Sequence, residues 1–182
     1  MKKLWFKFSI YLFSILPLTA PVSVNAASRF SFPGTLPASY VVRGAANPQE
    51  LAQTVLQAIQ DNKPDGLNEF LLGEAEFVQL KNKGSEDIKA FLENTTVLDL
   101  QNTFRSNYDE LVQKGISQTI NWSELNVSET RLGKGSVKDP RLQPVTITLT
   151  DKQNQPVTLL LETININKRY YLFRKIELLP RP

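Results

Sequence analysis

The apolar residues of this chain keep one period up to Gly115 and another after it. Before it, Leu51, Val55, Leu56 and Ile59 recur at helical spacing. So do Ile88, Phe91 and Leu92, then Val97, Leu100, Phe104, Tyr108, Leu111 and Val112. After it, Val145, Ile147 and Leu149 alternate with Thr146, Thr148 and Thr150, the pattern of a strand with one polar face. A helix cannot use an alternating pattern, nor a strand a helical one, because the apolar set would turn away from the core. Helices followed by sequential strands predict an α+β domain, its helices packed on an antiparallel sheet of about four strands.

Local signals place the elements. Asn47-Pro48-Gln49-Glu50 is a helix start: Asn47 caps, Pro48 suits the first helical position and Glu50 reaches back in the capping-box manner. Asn62-Lys63-Pro64-Asp65-Gly66 breaks that helix. A short apolar helix over 67–72 and another around 74–81 follow. The longest helical segment starts at Ser85, with a kink or break at Asn94-Thr95-Thr96 and Gly115 as its C′ residue. Strands are expected over 124–131, around 145–149, over 157–166 and over 169–178. Gly133-Lys134-Gly135-Ser136 reads as a flexible loop, and Asn167-Lys168 as a two-residue hairpin turn. The domain runs from 47 to 182; residues 27–46, rich in Pro, Gly, Ser and Ala, form an extended arm with a short strand at 40–43.

The first 26 residues read as a secretory signal peptide. Lys2, Lys3 and Lys7 make a basic start, Phe8 to Leu18 an apolar run, and Val24-Asn25-Ala26 a small-residue cleavage site. The run is shorter than the roughly 20 residues that span a bilayer. The expected protein is periplasmic or secreted, begins at Ala27 and has no stable membrane anchor once cleaved. The formal charge of +3 equals those three lysines, so residues 27–182 carry 18 basic and 18 acidic side chains. A neutral balance lacks the electrostatic footprint of a nucleic-acid binder. The chain has neither histidine nor cysteine, which excludes Ser-His-Asp triads, thiol nucleophiles and zinc sites built on either residue. No cofactor or metal is expected.

Ile120-Asn121-Trp122-Ser123-Glu124 and Ile166-Asn167-Lys168-Arg169-Tyr170-Tyr171-Leu172 carry a resemblance. The chain resembles secreted bacterial proteins of the nuclear transport factor 2-like, or cystatin-like, superfamily. Those proteins have helices first, a hydrophobic-Asn/Asp-Trp-Ser turn into the first long strand, and a closing Asn-Gly-Lys-Trp-Tyr hairpin. The resemblance implies a curved sheet wrapped round the helices as a cone, whose mouth binds ligands or whose outer face pairs subunits in a homodimer. It implies a non-enzymatic module that binds a small apolar ligand or a protein partner. The alternative is a ketosteroid-isomerase-like isomerase or dehydratase that uses a buried acid, Glu162, with Tyr171.

Pairing about Asn167-Lys168 puts Glu162 opposite Phe173 and Ile164 opposite Tyr171 on one face. On the other face Leu161 falls opposite Arg174, Leu159 opposite Ile176 and Val157 opposite Leu178. Candidate binding residues are therefore Glu162, Tyr171, Phe173 and Arg174. Arg174 interrupts the most apolar face, the one expected to meet the helices. Unpaired burial there would cost several kcal/mol. Three readings stand: a pair with a helix acid (Asp99, Asp109 or Glu110), a margin position with its stem on Leu161 and its head in water, or an anion-binding group.

Overall fold

Every turn of the first helix, α1 (Pro48–Gln60), buries part of an apolar stripe: Leu51, Ala52, Val55, Leu56, Ala58 and Ile59. Its start follows the sequence signal. The Asn47 side chain accepts from the Glu50 N–H at 2.8 Å, and Glu50 Oε2 accepts from the Ala46 N–H at 2.6 Å. The structure is a computed structural model that describes residues 42–180. The signal peptide and most of the arm lie outside the described residues. Residues 43–45 of that arm are part of the domain, because Ala45 exchanges both backbone hydrogen bonds with Tyr170, at 2.9 and 2.8 Å.

After α1 come a 3₁₀ turn (Pro64–Leu67), α2 (Glu74–Lys83), α3 (Glu86–Glu93) and α4 (Val97–Ser117). A second 3₁₀ turn, Trp122–Glu124, leads into β1 (Asn126–Leu132), β2 (Leu142–Thr150), β3 (Pro156–Ile166) and β4 (Arg169–Leu178). The strands form one antiparallel sheet in the order β1-β2-β3-β4. The α+β class and the four-strand sheet are as expected.

Three expectations are corrected. Residues 67–72 do not make an apolar helix: the 3₁₀ turn Pro64–Leu67 continues as a turn through Phe70, and the chain then meets β4, where the Leu172 N–H donates to the Phe70 carbonyl at 2.8 Å. Gly115 is not a C′ residue but lies inside α4; the chain leaves the helix at Thr119, whose φ is +58°. The loop at Gly133 is tied at both ends, since the Gly133 N–H donates to the Pro144 carbonyl at 2.7 Å and the Ser136 N–H to the Leu142 carbonyl at 2.8 Å. The expected break at Asn94–Thr96 is present. There Thr96 opens α4 with a capping box: its hydroxyl accepts from the Asp99 N–H and Asp99 Oδ2 accepts from the Thr96 N–H. The Thr96 hydroxyl also donates to Asp99 Oδ2 at 2.6 Å, and this bond first, the Thr96 N–H second, holds the Asp99 carboxyl below its ordinary value.

The core has two parts on opposite faces of the sheet. On one face α1 and α4 cover Val145, Ile147, Leu149, Val157, Leu159, Leu161, Leu172, Ile176 and Leu178. Tyr108 joins the two helices by donating to the Ala58 carbonyl at 2.8 Å. Burial pushes its phenol up to about 12, with the Asp109 charge adding to the rise. On the other face α2, α3 and the start of α4 cover only the hairpin end: Ile164, Ile166, Tyr171 and Phe173. Beyond it, Thr158, Leu160 and Glu162 on β3 are only half-buried. The sheet therefore changes from doubly covered to singly covered between Ile164 and Glu162.

Candidate functional site

The β3–β4 hairpin sets the site's geometry. Asn167 and Lys168 both have positive φ, 52° and 63°, as a two-residue turn matched to strand twist requires. From that turn Ile164 pairs with Tyr171 and Thr163 with Leu172, the register the sequence predicts. Then the ladder slips. Leu161 pairs with Ile176, not Arg174, so Phe173, Arg174 and Lys175 together oppose the single residue Glu162. A bulge of this kind re-aims side chains and leaves backbone groups without ladder partners. Here α4 supplies one: Asn107 Nδ2 donates to the Arg174 carbonyl at 2.8 Å; at the far end of the strand Lys114 Nζ donates to the Leu178 carbonyl at 3.1 Å.

The bulge decides where Arg174 goes. It leaves Leu161 and turns to Glu162, donating from Nε to Oε2 at 3.0 Å and from Nη2 to Oε1. Asp99, Asp109 and Glu110 on α4 are not its partners. The pair sits where the helical cover ends, with side-chain exposures of 38% for Arg174 and 27% for Glu162. The guanidinium carbon lies 4.9 Å from the ring centres of both Phe91 and Phe173, which meet edge to face at 5.9 Å. Two rings thus hold the guanidinium plane while the carboxylate fixes one of its edges.

Clefts open on both sides of this pair. One, of about 420 Å³, is bordered by Thr103, Asn107, Pro144, Leu160, Glu162 and Lys175. The other, of about 220 Å³, lies between α3 and the β1–β2 loop, and Phe91 and Phe173 line it. Asp139, 2% exposed, anchors that loop. Its carboxylate accepts from the Ser85 N–H at 3.1 Å, the Arg141 N–H at 3.0 Å and Arg141 Nε at 2.8 Å. The Arg141 side chain, chiefly, holds the Asp139 carboxyl far below the usual carboxylate range, outweighing the opposing effect of burial.

Of the sequence-predicted residues, Glu162, Arg174 and Phe173 converge, and Tyr171 does not join them. The Tyr171 hydroxyl is shared between the Arg43 carbonyl at 3.2 Å and Glu76 Oε1 at 3.3 Å. Burial raises its pKa, and the nearby Glu76 charge adds to that. Lys175 pairs with Glu177 at 2.9 Å. The sequence reading missed Phe91 as a site residue. Its spacing assigned it to a helical core stripe, yet it is 36% exposed and its ring is spent on Arg174. Among the described residues no three acids gather where they could hold a metal ion. No helix there is long and apolar enough to cross a membrane. No known protein family, curated protein or solved structure matches this chain.

Proposed function

We propose that this chain is an exported, non-enzymatic binding module that takes a small apolar ligand or a protein partner at the cleft beside Arg174. One observation carries the reading: the cleft has open volume and apolar walls, while its acid is already committed. Both oxygens of Glu162 accept from Arg174, and the Tyr171 hydroxyl is engaged with Glu76 on another part of the hairpin. A general base needs reach to a substrate proton. A preformed, largely apolar recess of a few hundred Å³ with a few polar groups is the usual form of a small-ligand site.

The order of helices before a four-stranded antiparallel sheet supports membership of the nuclear transport factor 2-like superfamily, with the Asn121-Trp122-Ser123 turn entering β1. In that reading the open face around Thr146, Thr148 and Leu160 is where a second copy would pair. Nucleic acid is not a partner of a surface with balanced charge.

Titration of the protein with a panel of small apolar compounds, followed by amide chemical shifts, tests the proposal. Shifts are expected at Thr103, Asn107, Leu160 and Lys175. An isomerase or dehydratase activity that Glu162→Gln abolishes, with the fold intact, would overturn it in favour of the enzyme.

A further inference from the structure

A guanidinium has two edges that can each grip a carboxylate, and Arg174 uses one. Glu162 occupies the side-on edge, Nε with Nη2. The end-on edge, Nη1 with the second Nη2 hydrogen, meets no acceptor among the described residues. Phe91 and Phe173, each 4.9 Å away, fix the plane in which that edge lies. The cleft that Arg174 borders has Pro144 and Leu160 as apolar wall, and Lys175 at its rim is paired with Glu177.

We propose that the ligand of this cleft is a monocarboxylate with an apolar body. Its carboxylate takes the end-on edge of Arg174, and its body lies against Leu160 and Pro144. The inference rests on reading the cleft as a binding site and names the chemistry of what binds. An arginine whose rotamer is already fixed by a carboxylate and two rings loses little freedom when it binds, which favours affinity. The opposing effect is repulsion from Glu162, which lies across the guanidinium from the end-on edge. Either a free organic acid or the C-terminus of an apolar peptide has this chemistry.

The test compares octanoate, octanol and octylamine on the purified protein, by amide shifts and by the rise in melting temperature. A leucine-ending tripeptide is run alongside as free acid and as amide. Octanoate or the free-acid peptide should bind about tenfold tighter than its uncharged counterpart, the worth of one charged hydrogen-bonded contact. The acid that binds identifies the source. The double variant Arg174→Gln/Glu162→Gln strands no charge; it should lose the preference for the acid and still bind octanol. Octanol binding without a preference for either acid, or a preference that survives in the double variant, overturns the inference and leaves the binding reading standing. No cleft shifts with any compound overturns the inference and the small-ligand reading together.

Discussion

Gly115 lies inside α4 with its Cα against the indole of Trp122, so close that a Cβ there would come within 2.6 Å of Trp122 Cε2. The indole is 8% exposed and belongs to the core between α1, α4 and the sheet. Glycine in a helix costs about 1 kcal/mol relative to alanine. This one is retained because the ring occupies the space a side chain needs.

Gly115→Ala should therefore destabilise the protein in spite of its better helix propensity. Overpacking a core costs about 1–3 kcal/mol, and the buried indole puts this site at the upper end, so the net loss after the propensity gain should be about 2 kcal/mol. Urea unfolding followed by Trp fluorescence reads it. A stabilised variant would show that the indole moves away freely.

Thr119 ends α4 in the left-handed region, at φ +58°, where a β-branched side chain is strained. The Thr119 N–H donates to the Ile116 carbonyl at 3.0 Å and the Ile120 N–H to the Gly115 carbonyl at 2.9 Å, the paired bonds of a Schellman end. Thr119→Gly keeps both bonds and relieves the strain. It should raise stability by about 1 kcal/mol, seen as a higher melting temperature.

Asp139 makes stability depend on acid. Its folded pKa is depressed, so its contribution is complete above its unfolded value of about 3.9 and is lost as pH falls toward the folded one. Stability should fall steeply below about pH 4. Asp139→Asn should cost about 3 kcal/mol at neutral pH, because Arg141 loses its partner, and should flatten the acid limb. Denaturation curves between pH 2 and 7 check both parts; an unchanged acid limb would remove Asp139 from the explanation.

Arg174→Met leaves Glu162 half-buried and without its partner. Because both side chains are partly exposed, the loss should be about 1 kcal/mol rather than the several expected of a buried pair. Adding Glu162→Gln should recover most of it. A double-mutant cycle in thermal unfolding measures the coupling, and additive effects would mean that the pair is stability-neutral.

The leader reading predicts a native protein that begins at Ala27 and is found outside the cytoplasm without detergent. Intact-mass measurement decides it, and retention of Met1 to Ala26 would overturn it.

The sequence already carried the hairpin turn and the register near it, because Asn167 tolerates positive φ and the apolar alternation sets the faces. It did not carry the bulge, for a specific reason. Leu172, Ile176 and Leu178 keep the same parity whether or not the two strands slip by two residues. An insertion of even length leaves no break in an alternating pattern, so Arg174 looked like a core residue opposite Leu161. The helix-facing strand pattern was equally legible at Val145, Ile147 and Leu149. The second apolar cluster was not, since Ile164 and Ile166 share a face with Glu162 and nothing local says where α2 and α3 stop covering it. For the same reason Phe91 was read as core: periodicity reports that a face is apolar, not what it meets.

The pairing of Ala45 with Tyr170 has a consequence for the order in which the molecule can form. The final strand is bordered by residue 45, by the Phe70–Leu72 segment and by side chains from α4, all made long before it during synthesis. Until that strand arrives, the Ala45 N–H and carbonyl lack their Tyr170 partners and α4 lacks the strand it packs against. Contacts of such long sequence separation are closed late and slowly. The edge formed by residue 45 and the Phe70–Leu72 segment therefore closes only once the last strand is present, which delays completion of the fold to the end of synthesis.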